Sequence, residues 1–395
     1  MLSIVKKIKS LVPIAYKYLF VLLGKFIIKN PKMVIFESFL GKQISDNPKA
    51  IYDYLAENYP NYVLIWSVDN RFVQEVDKNI RTVKRFSIKW LFYMNRAKYW
   101  VSNSRMPLWI PKSNRTVYLQ TWHGTPLKKL AADMNEVHMP GTNTEKYKRN
   151  FLKESQKWDY LISPNAYSTE IFKRAFEFDR EILETGYPRN DYLINSNTPL
   201  RIHEIKKRMG LPLNKKIILY APTWRDNQYH KKGEYKFDYE MDFEKMKDRL
   251  GDQYILLLRL HYLVRENISI EGAEGFVYDC SLHEDIRELY LVSDLLVTDY
   301  SSVFFDYANL KKPIIFYVHD LEEYRDKLRG FYFDLELDAP GPLVKTTEEL
   351  VNEITSTDTD GHKVRASEES FYMKYCYLED GNASRRVVEH IFKKE

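Results

Sequence analysis

Cysteine is almost missing: Cys280 and Cys376 are the only two in 395 residues. That is too few for a disulfide framework or a zinc pattern, and it suits a reducing compartment with two buried thiols. Several catalytic signatures are missing too. The sequence holds no GxGxxG, no GxxxxGK followed by Ser or Thr, no GxSxG and no HExxH, which argues against the usual dinucleotide enzymes, P-loop NTPases, serine hydrolases and zinc proteases. His138, His203, His230, His283, His319, His362 and His390 stand without metal-ligand spacing, and no acidic cluster with such spacing occurs. No metal site is therefore assigned, no cofactor is required, and a divalent cation is optional. A strong excess of one charge is lacking as well: 60 basic against 55 acidic residues give a net charge of +5, which calls for no nucleic-acid partner.

Acidic residues are absent locally, at the amino terminus. None precedes Glu37, while Lys6, Lys7, Lys9, Lys17, Lys25, Lys29 and Lys32 alternate with apolar residues. The apolar stretch from Leu11 to Ile28 is broken by Pro13, Lys17 and Lys25, so it falls short of a clean transmembrane span, and it has no small-residue cleavage site. Residues 1–32 are expected to form a basic amphipathic segment at an anionic membrane surface. The alternatives are a helix packed on the protein's own surface and a true span or uncleaved signal.

What is present is a chain built to fold. Hydrophobic residues make up 44% and aromatics 15%, led by 30 tyrosines, a composition opposed to long disordered tracts. From Met33 onward short apolar runs alternate with amphipathic ones, the α/β pattern. Strands are expected at 33–38, 62–68, 99–104, 116–122, 159–165 and 181–186, and again at 215–223, 253–261, 276–281, 295–300 and 313–318. A polar break near Asn195 to Pro199 divides the two sets. The expectation is two doubly wound Rossmann-like domains, 33–195 and 196–395, facing a cleft, with the last helix packing back on the first domain.

Ligands of open parallel sheets bind beyond the carboxyl ends of strands, so the residues after each apolar run are the candidates. Gln120-Thr121-Trp122-His123-Gly124-Thr125-Pro126 reads as a strand end running into a helix capped by Thr125 with Pro126 at its first position. His123 would then lie beside a helix amino terminus, where Gly124 lets an anion approach and the imidazole can take a proton from a hydroxyl. A capping turn with an incidental histidine is the plainer alternative. Asp299-Tyr300-Ser301-Ser302, followed by a helical run containing Asp306, offers a neutral phosphate cradle, with a simple N-cap as the alternative. Arg259 and His261 follow the run Ile255 to Leu258 and are placed one alternation apart on a strand face, where a phosphate or a protein carboxylate would serve them equally. Thr223-Trp224-Arg225 and Arg189 add an aromatic ring and guanidinium forks suited to phosphate oxygens.

With these residues laid out, the sequence resembles the CDP-glycerol glycerophosphotransferases of Gram-positive wall teichoic acid synthesis. The resemblance rests on Gln120 to Lys128, Gly186 to Asp191, Tyr220 to Asp226, Arg259 to Tyr262 and Thr298 to Ser302, in that order. It implies a GT-B enzyme, peripheral on the cytoplasmic face of the cell membrane, that moves glycerol phosphate from CDP-glycerol to an undecaprenyl-diphosphate-linked acceptor and releases CMP. It also implies that His123 and His261 are catalytic. Trp122, Gly124, Thr125, Pro126, Arg189, Thr223, Trp224, Arg225, Arg259, Asp299, Ser301, Ser302 and Asp306 then fall in the donor-contacting stretches, with 33–195 on the acceptor side and 196–395 binding CDP-glycerol. The long polymerases of the family carry an extra amino-terminal domain, so a first strand near Met33 favours a short-chain or primer-type enzyme. The polyol stays open between glycerol and ribitol, a nucleotide-sugar transferase and a non-catalytic binder are the competing readings, and a homo-oligomer is left open.

Overall fold

The structure, a computed structural model, describes residues 2–73, 77–137, 142–223, 229–231, 234–235, 241–260, 270–325, 330–359 and 366–393. It divides into two compact units. Residues 1–123, 130–191 and 382–395 form the first, and residues 124–129 with 192–381 form the second.

Unit 1 is built on seven strands, β1 (Asn30–Glu37), β2 (Val63–Val68), β3 (Thr82–Lys84), β4 (Ala97–Ser102), β5 (Val117–Gln120), β6 (Tyr160–Ser163) and β7 (Glu181–Glu184). They pair in parallel in the order β3-β2-β1-β4-β5-β6-β7. A parallel strand covered on both faces needs a continuous apolar run, which is why Val34, Ile35 and Phe36 of β1 are all buried. The crossovers carry helices α2 (Asp46–Asn58), α3 (Ile88–Arg96), α4 (Thr144–Ser155) and α5 (Ala166–Ala175), preceded by α1 (Leu2–Phe26). Side chains of Ser87, Asn143 and Asn165 cap α3, α4 and α5 by accepting from Trp90, Lys146 and Ser168 N–H groups, each worth about 1 kcal/mol. The helix Ala383–Phe392 completes this unit. Its Val387, Val388, Ile391 and Phe392 share a core with Val34, Phe36, Ile51 and Leu55, and the Asp191 carboxylate accepts its first N–H groups, from Ala383 at 2.8 Å and Ser384 at 2.7 Å.

Over residues 14–26, α1 packs one face on the protein itself. Tyr16 donates to the Ser87 carbonyl at 3.1 Å and sets its ring edge-on to Trp109, while buried Phe20 meets Trp100. The expected membrane segment is therefore seated on α3 through this face. The opposite face leaves Ile14, Tyr18, Leu22 and Phe26 exposed, four positions on one i, i+4 row.

Unit 2 repeats the topology with β8 (Lys216–Ala221), β11 (Tyr254–Leu258), β12 (Val277–Asp279), β13 (Leu295–Thr298), β14 (Ile314–Tyr317) and β15 (Leu343–Val344), ordered β12-β11-β8-β13-β14-β15, all parallel. A separate antiparallel pair joins β9 (Tyr229–Lys231) to β10 (Glu234–Tyr235). In each large sheet the strand order reverses beside the first strand, between β1 and β4 and between β8 and β13. Those reversals are where open sheets leave room for ligands.

Candidate active site

At the reversal of unit 1, the loop after β4 and the loop after β5 meet. The Asn103 carbonyl lies 2.8 Å from His123 Nδ1. A carbonyl can only accept, so Nδ1 carries the proton and the lone pair is on Nε2. The imidazole also stacks against Trp122, with ring centroids 4.5 Å apart, and Trp122 is wedged against Phe151, Phe172 and Phe176. Trp122 holds the ring in place rather than presenting itself to solvent.

Two residues that the sequence reading passed over set this backbone. Trp122 has φ of +52°, a left-handed conformation costing a large side chain ~1–3 kcal/mol. Fully buried Asn47 compensates: its amide donates to the Thr121 carbonyl at 3.3 Å and the Trp122 carbonyl at 3.2 Å, and its Oδ1 accepts the Arg189 N–H at 3.1 Å. Next to it, Asp46 pairs with the Arg189 guanidinium at 3.0 Å, both side chains largely buried. Arg189, expected among the donor contacts, thus has a carboxylate partner within its own unit. Asp46, Phe39 and Leu40 are left-handed as well, with φ of +63°, +47° and +62°. Residue type does not announce such conformations outside glycine, which is why this loop escaped notice. Asn103 falls inside the strand expected at 99–104, whereas β4 ends at Ser102.

Electrostatics favour a neutral base. The protein mass around His123 disfavours its charged form and holds its pKa below the ordinary histidine value. The Asn103 hydrogen bond and the Asp46 carboxylate oppose that shift, and Arg189 and Arg105 add to it. His123 as a whole residue nonetheless keeps exposed surface.

The helix expected at Thr125 does not form. Gly124 to Lys129 runs extended, with Lys128 bridged antiparallel to Phe331, Lys129 N–H donating to the Gly330 carbonyl at 2.8 Å and Tyr332 N–H to the Leu127 carbonyl at 2.9 Å. Pairing with a segment two hundred residues away satisfies these backbone groups, so the local capping signal at Thr125 and Pro126 is overridden. No helix starts at Thr125 to set its amino terminus beside His123. Gly124 has a different reason to be small: a Cβ there would stand 2.9 Å from Ser302 Oγ.

At the reversal of unit 2, Asp299 after β13 accepts the Thr223 N–H after β8 at 2.8 Å, and Thr298 Oγ1 donates to the Ala221 carbonyl at 2.7 Å. Ser301 and Ser302 precede the short helix Val303–Tyr307. Ser302 makes no side-chain cap bond, so the plain N-cap reading fails for it. Asp306 is buried on that helix. Arg259 lies past the end of β11, which stops at Leu258 rather than 261, and donates from Nη1 to the carbonyls of Cys280 at 2.8 Å and Ser281 at 2.7 Å. Burial holds its pKa below the ordinary arginine value. Trp224, Arg225 and His261 lie outside the described residues. Among the described residues no three His, Cys, Asp or Glu side chains gather as a metal site would.

The chain is 58% identical over 394 residues to the teichoic acid poly(glycerol phosphate) polymerase of Bacillus subtilis (strain 168), a match covering 100% of this chain and 53% of that protein. It is 57% identical to the protein of the same name from Bacillus spizizenii (strain ATCC 23059 / NRRL B-14472 / W23), covering 98% of this chain and 99% of that one. The chain therefore spans about half of the first relative and nearly all of the second. Both are called polymerases, so chain length does not separate initiating from elongating enzymes. A structure of the wall teichoic acid polymerase TagF shares the fold with a TM-score of 0.90 at 44% identity, over 99% of this chain and 96% of that one. The sequence model described as CDP-Glycerol:Poly(glycerophosphate) glycerophosphotransferase matches residues 18–393, and the chain belongs to that family.

Proposed function

We propose that this protein transfers glycerol phosphate from CDP-glycerol to the terminal hydroxyl of a lipid-linked teichoic acid precursor and releases CMP. The observation that carries the mechanism is the Asn103 carbonyl on His123 Nδ1, which leaves a basic lone pair on Nε2. The acceptor hydroxyl gives its proton to Nε2 as its oxygen attacks the β-phosphorus, the phosphorus carrying glycerol. The bond from that phosphorus to the bridging oxygen breaks, and CMP departs with the electron pair. Ser301 and Ser302 hold the donor phosphates, and Arg259 and His261 neutralise the charge that grows on the leaving CMP.

The test is CMP release from CDP-glycerol, with CDP-ribitol and a UDP-sugar alongside, on a prenyl-diphosphate disaccharide carrying one glycerol phosphate. We expect turnover with CDP-glycerol and a drop in kcat of about 10²- to 10⁴-fold in His123→Ala. Near-normal turnover by a correctly folded His123→Ala protein would remove the base from this mechanism, and turnover of another donor alone would change the substrate.

The same reading places the outward row of α1 at the membrane. No helix among the described residues is long and apolar enough to cross one. Ile14, Tyr18, Leu22 and Phe26 instead give α1 an exposed apolar face flanked by Lys17 and Lys25, and Ile88 and Phe92 of α3 are exposed as well, as a surface lying in an anionic leaflet requires. Sedimentation with vesicles should show binding that rises with anionic lipid and falls when Leu22 and Phe26 are both replaced by Ser. Equal sedimentation of that variant would sink the placement.

A further inference from the structure

Arg105 lies in the loop after β4, two residues beyond the carbonyl that fixes His123. Its guanidinium stacks over the rings of Phe151, 4.4 Å from the centroid, and Tyr147, at 5.3 Å, both on α4. Among the described residues it makes neither a hydrogen bond nor an ion pair, although it is only partly exposed. The acidic group felt nearby is Glu154, and that carboxylate is already taken. It accepts from Met106 N–H at 3.0 Å, the Tyr118 hydroxyl at 3.3 Å and the Trp158 indole at 2.7 Å. Burial also raises its pKa to about 7, so it is a weak counter-ion at neutral pH. Stacking holds a guanidinium flat and leaves its fork of N–H donors pointing outward, the arrangement that takes a phosphate bidentately. A half-buried cation with no partner of its own is costly unless an anion arrives.

We propose that Arg105 binds the phosphodiester that precedes the acceptor's terminal hydroxyl. The inference rests on the transferase reading: His123 takes the proton of that hydroxyl, and in a glycerol phosphate chain a phosphodiester lies one glycerol away from it. Arg105 then makes the enzyme demand an acceptor that already ends in a polyol phosphate, and a neutral sugar terminus leaves the fork unpaired.

The experiment compares two acceptors on the full-length enzyme: the prenyl-diphosphate disaccharide carrying one glycerol phosphate, and the same disaccharide carrying a glycerol ether without the phosphate. The wild type should prefer the first. Arg105→Gln should raise the KM for the phosphate-bearing acceptor about 10- to 100-fold, erase the preference and leave the KM for CDP-glycerol in place, with Arg105→Lys falling between. Because the charges of Arg105, Arg189 and Asp46 all act on His123, losing the cation in Arg105→Gln should also move the acid limb of kcat/KM to higher pH. A change in packing alone would not produce that shift. An unchanged acceptor KM, or a wild type indifferent to the acceptor's phosphate, overturns the proposal. A rise in the donor KM instead assigns the fork to the CDP-glycerol phosphates and overturns it too. Absence of CMP release by the wild type with either acceptor sinks the transferase reading itself, a result distinct from turnover with unchanged acceptor discrimination.

Discussion

The two sheets reverse their strand order in the same way, yet they finish the reversal differently. In unit 1 Asn103, just past β4, accepts the Phe39 N–H at 2.8 Å; in unit 2 Asp299, just past β13, accepts the Thr223 N–H at the same distance. One junction uses a neutral amide and the other a carboxylate. Around Asn103 the backbone is forced into left-handed turns and stitched by Asn47 and the Asp46–Arg189 pair. Around Asp299 it opens on two serine hydroxyls. A general base needs one lone pair in one direction, which rewards an over-determined backbone. A diphosphate needs several adaptable donors, which rewards hydroxyls at a strand end.

Breaking the stitching should have the largest effect. Asn47→Ala removes three hydrogen bonds from the interior, from the Thr121 and Trp122 carbonyls and the Arg189 N–H, and we expect a loss of about 2–4 kcal/mol in stability, with kcat falling at least tenfold because Trp122 and His123 lose their register. Denaturant unfolding and steady-state kinetics measure both. A variant that loses stability but keeps kcat would separate the stitching from catalysis. Next comes the hydroxyl side. Replacing Ser301 and Ser302 together by Ala should raise the KM for CDP-glycerol about tenfold, with the acceptor KM holding; the opposite split would move the donor away from this strand end.

The pH profile sharpens the contrast without removing an atom of the base. As the proposed base His123 has to be neutral, and its pKa is held below the ordinary histidine value, so kcat/KM should rise with pH along a limb lying below pH ~6.5 and then level off. Asn103→Asp copies the unit 2 residue into unit 1. The added negative charge favours imidazolium, so the limb should move to higher pH. The smallest effect is expected from Gly124→Ala. Its Cβ displaces the Ser302 hydroxyl, which can rotate, so a rise of a few fold in the CDP-glycerol KM is expected, and it should vanish in a Ser302→Gly background.

Much of the fold was readable because buried parallel strands are written as unbroken apolar runs: Tyr254 to Leu258, Leu295 to Thr298 and Ile314 to Tyr317 are each nearly pure in that respect. β3, only Thr82–Lys84, carries no such run and was missed. The candidate site is legible only in part. His123, Asp299 and the serine pair stood out as polar residues at strand ends, whereas Asn47 and Asn103 act through amide and carbonyl groups that look like any turn. The helix wrongly expected at Thr125 has the same origin: caps are local signals, and the strand-like bridge to residues 330–332 is not.

The helix Ala383–Phe392 also governs the order in which the protein can mature. β1 and α2 leave the ribosome before unit 2, but their core lacks Val387, Val388, Ile391 and Phe392 until synthesis passes residue 392, and Asp191 waits as long for the N–H groups of Ala383 and Ser384. Unit 2, enclosed between residues 192 and 381 apart from the six-residue strip 124–129, has all its parts first. The unit that holds His123 is thus begun before unit 2 and closed after it, which ties the setting of that imidazole to synthesis past residue 392.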